Sequence, residues 1–279
     1  MSKLRQMTRI IEARPAADGD GVKIKRIAGQ DLYRDLDPYL MLDEICSDDS
    51  ADYIGGFPPH PHRGFETITY MLDGVMRHRD HMGNEGLLQS GGVQWMTAGR
   101  GVIHSEMPEQ REGLLHGFQL WLNLPAAQKM RAPAYRDYAS EEFPVVNLAS
   151  GVTVKVIAGE FAQGDSVARG PVERETTRPA YLDVTIAPAA TFEWKVPEEQ
   201  SVLVYVFAGE LHGLSSGQMG VFTRGELLSI RGGDSVTRAL VLAGTPLREP
   251  VRQYGPFVMN TVEEVEQAIQ DYNSGRLAS

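Results

Sequence analysis

The chain has 279 residues, 42% of them hydrophobic and 23% charged, a mixture that suits a folded domain or two rather than a disordered chain. With 27 basic against 37 acidic residues the formal net charge is -10, and most of the excess lies in the second half. Such a field repels phosphate backbones, so direct nucleic-acid binding is not expected. A single cysteine, Cys46, excludes an internal disulfide framework and a CxxC metal or redox motif, and suits a reducing, cytoplasmic setting.

The amino terminus, MSKLRQMTRIIEARPAADGDGVKIKRI, has basic residues but no continuous apolar core, so it does not read as a signal peptide. Further along, glycine and proline punctuate short runs rich in Val, Ile, Thr and Tyr. ETITYML (66–72) sets Glu66, Ile68, Tyr70 and Leu72 on one side and Thr67, Thr69 and Met71 on the other. GVTVKVIAG (151–159) puts Val152, Val154, Val156 and Ala158 on one face, and YLDVTI, SVLVYVF and ALVLAG continue the pattern. Runs of period two read as antiparallel strands. No helical pattern recurs between them, so a βαβ architecture is excluded and an all-β barrel or double-sheet sandwich is expected. The longest strongly apolar run, VLVYVFAG at 202–209, is far short of the roughly 20 residues of a membrane-spanning helix, so no membrane partner is expected.

The halves echo each other. YMLDGVMRH (70–78) and YVFAGELHG (205–213) each run from a strand through a glycine into another strand, which suggests two units of related design. Between them, about Leu124 to Leu148 lacks strand periodicity and carries Pro125, Pro133 and Pro144, as a linker would. The expected division is 1–135 for an N-terminal metal-binding unit and 136–279 for a C-terminal unit without a metal, closed by a helix over 262–273. Thr261 and Glu264 make a capping box for that helix, and Val262, Val265, Ala268, Ile269 and Tyr272 form its apolar stripe.

Five of the seven histidines fall between residues 60 and 104. His60 and His62 sit in PPHPHRGFE, where i and i+2 side chains of an extended chain point the same way and flanking prolines stiffen the approach. GRGVIHSEM offers His104 and Glu106 at the same spacing. Two such pairs on neighbouring strands supply three imidazoles and one carboxylate, a set for iron, manganese, nickel or zinc rather than calcium or magnesium. The absence of thiolates argues against a structural zinc site. His78 and His81 read first as a polar strand end and turn, with lining of the pocket mouth or support of a ligand as alternatives; His116 and His212 read as solvated or core residues. Glu66 is open between a ligand, an acceptor holding an imidazole, and a salt-bridge partner. Arg63 and Arg100 either neutralise an anionic substrate or pair with local carboxylates. Phe57 and Met107, nearest the ligands in sequence, are candidates for an apolar pocket lining.

HPHRGFETITYMLDG and GGVQWMTAGRGVIHSEMP, with the tail EPVRQYGPFVMNTVEEVEQAIQDYNSGRL, closely resemble the pirin family of the cupin superfamily. The resemblance implies two tandem cupin-type β-barrels, a bicupin, with a metal in the first only and iron as the leading metal. The family's metal ligands fall on His60, His62, His104 and Glu106. Glu66 holds the place of the ligand glutamate of cupins in general, a duty that passes in pirins to Glu106. Ser90-Gly91-Gly92 departs from the PG usual there, which changes a turn and no ligand. The implied activity is that of a quercetin 2,3-dioxygenase: a planar flavonol opened with dioxygen, Glu106 acting as catalytic acceptor of the substrate hydroxyl proton. The alternative is an iron-binding regulator that works through a protein partner, a transcription factor or a metabolic enzyme.

Overall fold

The computed structural model describes residues 2–164 and 166–278. Its first twelve strands are β1 (Met7–Glu12), β2 (Arg14–Asp18), β3 (Val22–Ala28), β4 (Tyr39–Ser47), β5 (Phe57–His62), β6 (Phe65–Asp73), β7 (Met76–Asp80), β8 (Glu85–Leu88), β9 (Val93–Thr97), β10 (Val102–Pro108), β11 (Leu115–Asn123) and β12 (Ala134–Tyr138). One α-helical turn, α1 (Tyr33–Leu36), and three short 3-10 turns interrupt them. There follow β13 (Val145–Leu148), β14 (Val152–Ala158), β15 (Glu160–Gln163), β16 (Ser166–Arg169), β17 (Ala180–Ile186), β18 (Thr191–Lys195) and β19 (Ser201–Ala208). The last strands are β20 (Glu210–Leu211), β21 (Leu214–Ser215), β22 (Gln218–Phe222), β23 (Leu227–Arg231), β24 (Thr237–Gly244), β25 (Arg252–Tyr254) and β26 (Phe257–Met259), before α2 (Val262–Asn273).

These elements form two compact units, each assembled from separate stretches of chain: 1–13, 34–38 and 141–247 in one, 14–33, 39–140 and 248–279 in the other. The second of these carries the histidine cluster. Its seven-stranded sheet runs β12-β9-β6-β11-β4-β3-β2, and a four-stranded sheet runs β5-β10-β7-β8. Val22, Ile24, Ile45, Met71 and Leu115 of the first meet Met76 and Leu88 of the second in one buried cluster. At about 1.5–3 kcal/mol for each large apolar side chain buried, this packing holds the two sheets together.

The expectation of closed β-barrels is not met: both sheets are open, and the unit is a double-sheet sandwich. The composition of β5 supplies a physical reason. Pro58, Pro59 and Pro61 lack the N–H that a ladder needs, so β5 pairs with β10 on one side and ends the sheet on the other. At the opposite edge β8 is four residues long and mostly outside the core. Residues 134–138, expected within a linker, form β12, an edge strand paired with β9 whose exposed flank leaves little hydrophobic signal.

The other unit repeats the plan. Its seven-stranded sheet runs β1-β22-β19-β24-β17-β14-β13, again open, with β18 and β23 paired separately. Val152, Val154 and Val156, on the face the alternation selects, join Val202, Val204 and Val206 in a core completed by Phe192, Trp194, Leu228 and Ile230. The echo between the halves has a structural counterpart, since Gly74 and Gly209 both leave their strands at positive φ, 93° and 70°.

Back in the site-bearing unit, α2 starts at the expected capping box: Glu264 N–H donates to Thr261 Oγ1 at 3.2 Å and Thr261 N–H to Glu264 Oε2 at 3.0 Å. Its stripe is only partly covered, with Val265 and Ala268 buried and Val262 and Tyr272 exposed. Ala268 packs with Phe257 and Leu277, and Ile103 of β10 leans on that cluster, so the helix backs the strand that carries His104. No helix of the described residues is long and apolar enough to cross a membrane.

Lys129 is buried, and its Nζ donates to the carbonyls of Gly64 at 2.8 Å and Val258 at 3.0 Å and to Asn123 Oδ1 at 2.6 Å. It thereby ties the end of the β5 segment to β26. Lys129→Met is expected to leave these acceptors unpaired and to cost about 3 kcal/mol or more, read from the urea midpoint; an unchanged midpoint would mean that the ammonium contributes nothing net.

Candidate metal centre

His60 and His62 lie two residues apart on β5, and the antiparallel register places His104 of β10 directly opposite His60. The three imidazoles converge, with a ring nitrogen of each within 4.8 Å of the others. Ring centroids are 4.7 Å apart for His60–His62, 4.4 Å for His60–His104 and 4.9 Å for His62–His104. His62 and His104 are buried; His60 is partly open.

The hydrogen bonds leave the nitrogens a cation needs. His60 Nδ1 lies 2.9 Å from the Pro58 carbonyl, which only accepts, so this nitrogen donates and Nε2 is the nitrogen left to face a cation. His104 Nδ1 lies 2.8 Å from His78 Nε2, while His104 Nε2 and both nitrogens of His62 are buried without a hydrogen-bond partner. Unpaired buried nitrogens are costly, and a divalent cation shared by three imidazoles would satisfy His104 Nε2 and one of the two His62 nitrogens. Burial, reinforced by neighbouring imidazoles, holds the pKa values of His62 and His104 well below the ordinary 6.5, so both stay neutral and able to coordinate. The residues therefore fit a borderline transition-metal ion.

His78 is where the structure goes beyond the first reading. Register sets it opposite Glu106 across β7 and β10, and its ring orients that of His104 from behind. It is buried, and packs against Tyr135 at 5.2 Å between centroids. Its flanking arginines signal a polar strand end; the inward face at position 78 becomes visible only through pairing.

Glu106 lies outside the group of mutually close ligand atoms. Its Oε1 is 3.0 Å from Thr69 Oγ1, and its Oε2 accepts from Gln119 Nε2 at 3.0 Å. Thr69 Oγ1 also sits 2.8 Å from Gln119 Oε1, so one hydroxyl proton faces two acceptors. Neither Thr69 nor Gln119 stands out in the sequence. Both lie on cavity-facing positions of their strands, Thr69 with Met71 on β6 and Gln119 with Trp121 on β11.

That cavity, of about 400 Å³, lies between the two sheets, lined by His60, His62, Glu106 and a largely apolar wall. Phe57 lines it, because the register slips between His104 and Glu106 and brings Phe57 opposite Glu106. Met107 is not among the lining residues; it points to the alternate side of β10, where its Sδ lies by Gly56. Glu66, on the other face of β6 from Thr69, accepts from Thr97 Oγ1 at 2.6 Å. Arg63 does not reach the cavity lining. It is buried, with Nη1 2.8 Å from Asp271 Oδ2 of α2 and Nε donating to the Arg100 carbonyl. The wall does hold a charged group: Arg26 grips Asp43 through Nε at 2.8 Å and Nη2 at 2.6 Å.

Comparison with known proteins agrees with this geometry. Residues 21–122 match the family Pirin, and residues 181–278 match the Pirin C-terminal cupin domain. The chain belongs to the pirin family. It is 47% identical, over the whole of both chains, to a Pseudomonas aeruginosa protein named "Putative quercetin 2,3-dioxygenase". It is 38% identical to human Pirin over 99% of this chain and 95% of that protein. Among solved structures, a quercetin 2,3-dioxygenase from Acinetobacter baumannii superposes with a TM-score of 0.88 at 32% identity, covering 99% of each chain. This pirin thus has two cupin-like β units, a short C-terminal helix and a candidate centre for a divalent metal.

His104→Ala is expected to lose most bound metal by elemental analysis; wild-type stoichiometry would remove His104 from the ligand set. His78→Ala should weaken metal affinity about 10- to 100-fold without abolishing it. The metal-free protein should also lose stability as pH falls. The unfolded chain protonates its histidines near pH 6.5, whereas folded His62 and His104 resist, so the unfolded state binds more protons below that pH. Each contributes a slope of about 1.4 kcal/mol per pH unit between the unfolded and folded pKa values. Urea midpoints that stay level from about pH 7 to about pH 5 would show that the rings protonate in place.

Proposed function

We propose that this pirin is a metal-dependent dioxygenase of quercetinase type, opening a flavonol with dioxygen at the three-histidine centre. The observation that carries the reading is the convergence of three imidazoles, two of which, His60 and His62, line a mainly apolar cavity of about 400 Å³. A cavity of this size and lining suits a planar aromatic ligand. The relatives named as quercetin 2,3-dioxygenases support the same assignment.

His60, His62 and His104 hold the metal, with Glu106 as fourth ligand and proton acceptor, and iron is the metal we assign. When bound, that ion supplies open coordination positions and couples electron transfer between substrate and dioxygen. Glu106 accepts the proton of the substrate hydroxyl, and Thr69 and Gln119 set the direction of its carboxylate. Phe57, Met71 and Trp121 exclude water from the face of the ring, and Arg26 with Asp43 offers hydrogen bonds to ring hydroxyls. Glu66 and Arg63 act by holding strands in place, and the unit containing β13–β24 carries no metal in this reading.

The test is oxygen uptake by iron-loaded protein given quercetin, with the metal-free protein as blank. Metal-dependent turnover is expected, and Glu106→Gln should lower kcat about 100-fold or more, in line with loss of a positioned base. Glu66→Gln should retain the metal. No uptake by verified iron-loaded protein would overturn the dioxygenase reading and move the weight to regulation through a protein partner.

A further inference from the structure

A second group of unlike donors lies on the far side of the seven-stranded sheet. Cys46 of β4 stands directly opposite His116 of β11 in the antiparallel register, and Glu44 precedes Cys46 by two residues on the same strand. One ligand atom from each of Glu44, Cys46 and His116 lies within 4.8 Å of the others. On β4 the cavity takes Met41, Asp43 and Ile45, and on β11 it takes Leu115, Gly117, Phe118, Gln119 and Trp121, but none of Glu44, Cys46 and His116. Side chains alternate across a strand, so Glu44, Cys46 and His116 face away from the three-histidine centre.

We propose that Glu44, Cys46 and His116 form a second metal site, which takes a borderline divalent cation of the zinc or cobalt(II) class. One carboxylate, one thiolate and one imidazole suit such an ion and not calcium or magnesium, which want oxygen donors throughout. Carboxylate and thiolate bring two negative charges to a dication, and three protein ligands leave a fourth position for water.

The geometry is close to what coordination requires. Metal–ligand distances of about 2.0–2.3 Å in a tetrahedron set ligand–ligand edges of about 3.5 Å. His116 Nε2 and Glu44 Oε1 are already 3.0 Å apart, so they need to separate by only about half an ångström to admit an ion in place of the shared proton. Lys25 Nζ sits 3.4 Å from Glu44 Oε2, the other carboxylate oxygen, and leaves Oε1 as the metal-facing atom. Glu44 is buried on a central strand and so held in place, while Cys46 is exposed and gives the ion its entry. The proposal is independent of the dioxygenase reading, since it shares no residue with that centre.

Cys46 is the chain's one cysteine, so a thiolate-to-metal charge-transfer band reports this site and no other. The experiment is a cobalt(II) titration of the full chain under reductant, followed in the near ultraviolet, with folding of each variant checked by circular dichroism. The expected result is a band that saturates with one equivalent bound at this site, is lost in Cys46→Ser and is displaced by zinc. His116→Ala should shift the midpoint at least about tenfold, since loss of a group that merely orients a ligand already costs that much; Glu44→Gln should do the same, and if it fails to fold, His116→Ala decides. The absence of a thiolate band in cobalt-loaded wild-type protein would overturn the proposal. So would a band whose midpoint is unchanged in His116→Ala, because the thiol would then be binding alone.

Discussion

The centre depends on a strand that has given up half its hydrogen bonds. Three prolines in six residues leave β5 with few donors, confine it to the edge of the four-stranded sheet and restrict its backbone to extended geometry. Restricted chains lose less entropy on ordering, so the rings of His60 and His62 are presented on one side at reduced conformational cost. The remaining pairing of β5, with β10, sets His104 opposite His60. β10 is gripped on its other side by β7, which brings His78 behind His104. Convergence of the imidazoles is thus a consequence of strand register before any cation is considered.

Electrostatics and packing then point the same way. Desolvation keeps His62 and His104 neutral, which favours coordination and disfavours leaving their nitrogens unpaired. The supports are spread through the chain. Arg63 anchors the end of β5 to α2 through Asp271, whose carboxyl that guanidinium holds below the usual range, and Lys129 joins Gly64 to Val258. The last residues of the sequence therefore stabilise a site formed by residues 60–106. In the same way β1 completes a sheet made otherwise of residues beyond 144. Each compact unit borrows from the opposite end of the chain.

The two faces of the large sheet illustrate how alternation divides labour. Odd positions of β4 and β11, with Phe118, supply the cavity wall, and even positions supply Glu44, Cys46 and His116. His116 reads in isolation as a solvated or core histidine, because nothing in its local sequence marks the strand that will lie beside it. Glu66 shows the converse. Its place four residues after His62 invites a ligand role, yet parity on β6 sends it to Thr97 on the opposite face from Thr69.

Local sequence determined the elements and the donors: period-two alternation, the HxH and HxE pairs, the capping box at Thr261, and the edge character of a proline-rich strand are all short-range properties of the covalent chain. Resemblance to the pirins added the family and its activity. Tertiary structure decided what depends on register and on contacts between distant residues. It left the sheets open where barrels were expected, turned part of the expected linker into β12, and put Thr69, Gln119 and His78 at the centre. It also kept Met107 off the cavity wall and paired Arg63 with Asp271. The physical reason is that alternation tells a side chain's face relative to its own strand, whereas which strand lies alongside, and in what register, is set by the packing of the whole sheet.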